Sequence, residues 1–163
     1  EQFTKLLNTY QNKKDSKGNL WYYKSLVHIS YKLRTKKEIY DFLSKDIELQ
    51  EEAKLKIIDK LIKHHYIDDY EYAKHFLEDC KNKKRGKRYF VNQLNRLGVD
   101  SHIIQEILEE YNEEELLEEL IDQFQKIELT LINYPIVVQK RKIQEKMARK
   151  GLSTSIISKV INF

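Results

Sequence analysis

The residues in this sequence best equipped for chemistry are cations, and their pattern suits gripping an anion rather than turning over a substrate. Between Lys81 and Arg96 stand seven of them (Lys81, Lys83, Lys84, Arg85, Lys87, Arg88 and Arg96) with no acid between. From Leu97 to Gln125 the sign reverses, with ten acids from Asp100 to Asp122 and no Lys or Arg. Charge segregated in this way marks one face for an anionic partner and another for solvent or a basic partner. The formal net charge of the 163 residues is only +4, so the signal lies in distribution rather than total.

The cations also recur. Lys36, Lys87 and Lys140 form one column, Lys37, Arg88 and Arg141 a second, and Lys45, Arg96 and Arg149 a third, with successive members 51 and then 53 residues apart. The second and third columns are eight residues apart, about 80° around a helix, and so share a broad side. Arginine presents a planar fork to carboxylate or phosphate, and cations repeated along a rod suit an elongated, periodic anion. The plainer alternative is a solvated helix face. The candidate partner-binding residues are therefore Lys37, Lys45, Lys83, Lys84, Arg85, Lys87, Arg88, Arg96, Lys140, Arg141 and Arg149.

Other groups point away from catalysis. His64, His65, Asp68 and Asp69 look like a metal cluster on paper, but adjacent histidines splay about 100° apart on a helix. The two aspartates have a ready use as helix caps. Cys80 is the only cysteine, which excludes an intrachain disulfide, favours a reducing compartment and reads as a buried, inert thiol. Tyr22, Tyr23, Tyr31, Tyr66, Tyr70, Tyr72, Tyr89 and Trp21 lie at helical spacing beside Leu and Ile, so packing outweighs base stacking for them. No Gly-rich phosphate loop, nucleophile triad or paired carboxylate with a matching base is recognisable. Neither a cofactor nor a metal is expected.

The elements that must position these cations are helical. One Pro, four Gly and an abundance of Leu, Ile, Lys and Glu predict an all-α protein. "LNRLGVDSHIIQEIL" from Leu94 and "MARKGLSTSIISKVI" from Met147 repeat one phrase, with Gly98 and Gly151 lying 53 apart. A fainter copy around Ile39 and Leu43 precedes both. Ile39 with Leu43, Phe90 with Leu94 and Ile143 with Met147 are i, i+4 pairs predicted to be buried. Thr35 and Glu38 have capping-box spacing. Gly98 and Gly151 suit left-handed helix stops, after which Asp100 and Ser153 suit N-caps. Lead helices are predicted over Leu20–Leu33, Asp69–Asn82 and Glu113–Ile132, with Asp68 or Asp69 capping the second and Pro135 breaking the chain before a helix. The last of these lead helices carries Leu116, Leu117, Leu120, Ile121 and Phe124 on one face and turns a strongly acidic face to solvent. Periods of this length mark stacked helical units. The expected organisation is a lead-in over 1–19 and three three-helix repeats over 20–66, 67–111 and 112–163, forming an elongated, curved rod.

From Leu61 to Val99 the sequence resembles the RecX family of bacterial regulators. The residues that carry the resemblance are Tyr66-Ile67-Asp68-Asp69, Tyr72-Ala73, Lys83-Lys84-Arg85-Gly86 and Leu94-Asn95-Arg96-Leu97-Gly98-Val99. His65 stands where the family has Gly, Tyr72 where it has Phe, and Leu97 where it has a basic residue. The resemblance extends over about residues 20–163. It implies tandem three-helix repeats and a non-enzymatic protein that binds the RecA recombinase filament. That binding would restrain ATP hydrolysis, strand exchange and stimulated repressor cleavage, with single-stranded DNA contacted directly or through the filament. A monomer is expected. With no apolar run near the ~20 residues of a membrane span and no recognisable signal pattern, a cytoplasmic location is expected too. A stand-alone nucleic-acid-binding helical-repeat protein is the alternative.

Overall fold

The computed structural model describes residues 17–162. Among the described residues there are nine α-helices, one 3-10 turn and no strand, as the composition predicts. Residues 1–16 of the expected lead-in lie outside the described residues. The chain divides into two compact units: residues up to Tyr72 together with Leu97–Asp100, and Ala73–Arg96 together with Ser101 onward.

The first unit packs α1 (Lys17–Tyr31), α2 (Lys36–Leu43) and α3 (Glu51–Lys63) around a core that includes Tyr22, Ile39, Leu43, Leu49, Ile58 and Leu61. Its second helix starts where the sequence says it should. The Thr35 hydroxyl accepts from the Glu38 N–H while the Glu38 carboxylate accepts from the Thr35 N–H, a complete capping box. Two further contacts hold that start. The Thr35 hydroxyl donates to the Leu97 carbonyl at 2.8 Å. Asp69 Oδ1 accepts from the Lys36 N–H at 2.8 Å. Asp68, rather than Asp69, caps the following helix, α4 (Asp69–Asn82), by accepting from the N–H groups of Tyr70 and Glu71. Trp21 packs edge-on against Phe42 and donates its indole N–H to Asp46 at 2.7 Å. Gly98 takes φ 71°, the left-handed stop expected of it.

The second unit contains the rest of α4, then α5 (Lys87–Arg96), α6 (Ser101–Glu109), the 3-10 turn Glu113–Leu116, α7 (Leu117–Thr130), α8 (Ile136–Arg149) and α9 (Thr154–Ile161). Phe90, Leu94, Ile143 and Met147 are all buried, each fully buried aliphatic or aromatic side chain contributing about 1.5–3 kcal/mol. Gly151 adopts φ 77° and Ser153 caps α9 by accepting from the Ile156 N–H. Helix α8 begins directly after Pro135, which fits only at a helix start.

Three expectations need correcting. The third lead helix is not continuous from Glu113: a 3-10 turn precedes α7, and Glu113 is buried rather than solvated. Its two oxygens each satisfy a helix-start N–H, Lys87 at 2.7 Å and Ser153 at 3.2 Å, which compensates burial of the carboxylate. The acids Glu114 and Glu119 stay exposed, as expected of a solvated face, and pair there with Lys159 and Lys84. Among the tyrosines, Tyr22 and Tyr72 are buried, but Tyr31 is 82% exposed and Tyr66 47%. Tyr31 is the last residue of α1 and Tyr66 follows the turn at His65, points where the backbone leaves the packed helical face.

Candidate anion-binding site

Burial of Phe90 and Leu94 decides what α5 shows to solvent. Residues two positions away point to the opposite side of a helix, so Arg88, Asn92 and Arg96 form an outward stripe. On α8 the same logic, with Ile143 and Met147 inward, turns Arg141, Glu145 and Arg149 outward. The start of α5 is fixed against the end of α8: the Gly86 N–H donates to the Lys150 carbonyl at 2.8 Å and the Arg88 N–H to the Gly151 carbonyl at 3.1 Å. This join brings Arg149 to the α5 stripe. Arg88, Tyr89, Asn92, Gln93, Arg96 and Arg149, with Ala148 and Gly151, line a recess of about 390 Å³.

The recess is positive and unneutralised. Among the described residues no carboxylate lies within ion-pair distance of Arg88, Arg96 or Arg149, and none lines the recess. The equivalent stripes of α2 and α8 differ at one position. In α2, Asp41 takes up Lys37 at 2.5 Å. In α8, Glu145 lies 3.9 Å from Arg141. In α5 that position is Asn92, which is neutral. Lys150, next to Arg149 in sequence, is held below the ordinary lysine value by burial first and then by Arg85, Lys84 and Lys146, cations outside the recess.

The other candidate cations have different surroundings. Lys83 pairs with Asp79 at 2.6 Å and Lys84 with Glu119 at 2.7 Å. The Arg85 guanidinium lies 4.7 Å from the centre of the Tyr89 ring, and Lys45 lies 5.6 Å from that of Phe42. Lys87 offers its backbone N–H to Glu113. Lys140 lines a separate small cavity with Ile121, Phe124 and Glu128. Among the described residues no group of three or more His, Cys, Asp and Glu could hold a metal, and Asp68 and Asp69 are engaged as caps. Cys80 is buried, and burial, with Asp79 adding to it, pushes its thiol up to about 12. At neutral pH it stays protonated and unreactive.

Sequence comparison places the chain among known proteins. It is 31% identical over 137 residues to the regulatory protein RecX of Bacillus cereus strain G9842, covering 83% of this chain and 50% of that protein. The match to the regulatory protein RecX of Bacillus anthracis strain A0248 has the same identity and coverage. The crystal structure of RecX from Lactobacillus salivarius superposes with a TM-score of 0.78 at 27% identity, over 89% of this chain and 94% of that one. The chain belongs to the RecX family. No family model matches it, and it spans about half the length of the curated relatives it matches.

In this RecX-family chain the recess includes residues that sequence reasoning passed over. Asn92 was detectable: aligned with Asp41 and Glu145, it is the one uncharged member of its column. Gln93 and Ala148 carried no such signal. Both enter because α8 ends against the start of α5, a long-range join that no local pattern encodes.

Proposed function

We propose that this RecX-family chain is a non-enzymatic regulator that binds the RecA–single-stranded DNA filament and restrains its ATPase, strand-exchange and coprotease activities. The observation that carries this is the unneutralised arginine recess on α5 and α8, in a chain related to proteins named as regulators. A filament offers acidic protein surface and phosphate at regular intervals. Repeated helical units over 20–66, 67–111 and 112–163, each with a basic stripe, would meet several of them at once. Linked weak contacts gain affinity through effective concentration, so inhibition needs no bond-making step. In this view the protein acts as a monomer in the cytoplasm.

The test is an ATPase and co-sedimentation assay with purified RecA on single-stranded DNA. Slower hydrolysis and co-sedimentation with filaments are expected. Unchanged hydrolysis with no filament association at low and moderate salt overturns the proposal. Stand-alone nucleic-acid binding is the second reading, favoured by three arginines without internal partners. Tight, physiologically salt-resistant binding to bare DNA without any effect on RecA would select it.

A further inference from the structure

Three arginines held together without a carboxylate repel one another, and folding alone gives no reason to keep them so. Elsewhere the chain neutralises comparable cations, as Lys37 with Asp41 and Lys83 with Asp79. An anion from outside would relieve the recess, and its lining narrows which anion. Arg88 and Arg96 stand about 12 Å apart along α5, which suits a chain carrying charge at intervals better than one small ion. Protein–protein hot spots are built on apolar anchors in desolvated pockets. This recess offers Asn92, Gln93, Ala148 and Gly151 between its arginines and no large aliphatic side chain. Tyr89, the one aromatic ring present, is already stacked on Phe76 with centroids 6.2 Å apart and approached by the Arg85 guanidinium at 4.7 Å. Its π-surface is therefore largely engaged, unlike the free aromatic platforms on which bases stack.

We propose that Arg88, Arg96 and Arg149 form a seat for the phosphodiester backbone of one nucleic-acid strand, gripped at its phosphates without base stacking and hence without regard to sequence. Asn92 and Gln93 supply neutral donors between the arginines. Neutrality at Asn92 is what keeps the seat open, because an acid there would occupy Arg88 and Arg96 from within, at i, i+4 spacing. The seat deepens the regulator proposal, on which it rests only for the source of the strand.

The experiment is fluorescence anisotropy of the full chain with a labelled 20-mer of oligo(dT), without RecA, titrated with NaCl. Three phosphate contacts to a single strand contribute about 2 to the slope of log affinity against log salt. The Arg88→Gln, Arg96→Gln, Arg149→Gln triple variant is expected to lose that contribution and to weaken binding roughly tenfold or more for each arginine. Asn92→Asp should weaken it without removing any cation, and the all-lysine triple should retain most of the salt slope. Lys126→Gln, a change at a residue already paired with Asp122, should leave binding unchanged. Circular dichroism monitors folding of each variant. A wild-type chain that does not bind the oligonucleotide, or a folded triple variant with unchanged affinity and slope, overturns the seat. So does equally tight, equally arginine-dependent binding of duplex of the same length. RecA co-sedimentation, run in parallel, separates the two proposals. If the triple variant loses filaments but keeps the oligonucleotide, the recess meets protein carboxylates and the seat is wrong while the regulator stands. If the wild type binds the oligonucleotide through these arginines but leaves RecA unaffected, the seat stands and the regulator fails.

Discussion

Gly98 and Gly151 close the same sequence phrase, one in each compact unit, with nearly the same backbone angle, φ 71° and 77°. What lies against them differs. A Cβ on Gly98 would meet the Lys37 side chain, its Cδ at 2.5 Å and its Cβ at 2.7 Å, whereas a Cβ on Gly151 would meet the backbone nitrogen of Tyr89 at 2.3 Å. The carboxylates that hold helix starts show the same contrast. Asp69 in the first unit serves one N–H, while Glu113 in the second serves two. A repeated phrase thus fixes a turn, and the density of what packs on the turn fixes how much it matters. The second unit, which contains the arginine recess, is the more tightly tied at these points.

The comparison can be broken most sharply at the glycines. Gly151→Ala should destabilise by about 3 kcal/mol or more, because left-handed strain adds to a backbone clash. Gly98→Ala should cost less, about 2 kcal/mol, since left-handed strain adds to a clash with a side chain, of which Lys37 Cδ can move aside while Lys37 Cβ at 2.7 Å requires a small shift of α2. Urea denaturation measures both, and equal losses would erase the distinction. Next in size, Glu113→Gln should cost about 1.5–3 kcal/mol, because an amide offers one acceptor oxygen where two backbone donors need one each. Asp69→Asn should cost less. Burial first holds the Asp69 carboxyl above its ordinary value, against the pull of the Lys36 N–H. The folded state therefore binds that proton more readily than the unfolded chain. The contribution of Asp69 is most favourable below the ordinary value of 3.8 and declines as pH rises through the raised folded value, a trend that Asp69→Asn should remove. The smallest change is a gain. His65 carries φ 58° at a helix end where glycine is the usual residue, so His65→Gly should raise stability by about 1 kcal/mol in thermal unfolding.

Much of this was readable from local sequence because local chemistry decides it. The Thr35 capping box, both glycine stops, the Ser153 cap and the buried i, i+4 pairs each involve residues a few positions apart. Glu113 was unreadable for the opposite reason. In a run of acids it has the pattern of a solvated face, and only contacts to Lys87 and Ser153, 26 and 40 residues away, make it interior. The basic columns were half-readable. Arg96, Arg149 and Arg88 line one recess, while the remaining members of their columns, Lys45, Lys37 and Arg141, do not. Neither Lys87 nor Lys140 lines it, and Lys140 faces a separate cavity with Ile121, Phe124 and Glu128.

The double acceptor at Glu113 has a dynamic corollary. One carboxylate is the common partner of two amide protons that belong to separate helices and sit 66 positions apart in sequence, at Lys87 and Ser153. Neither can be released by tilting the acid aside without releasing the other. In deuterated solvent the two amides should therefore open in a single event and show one shared degree of protection, and a ligand seated on α5 should raise it for both together.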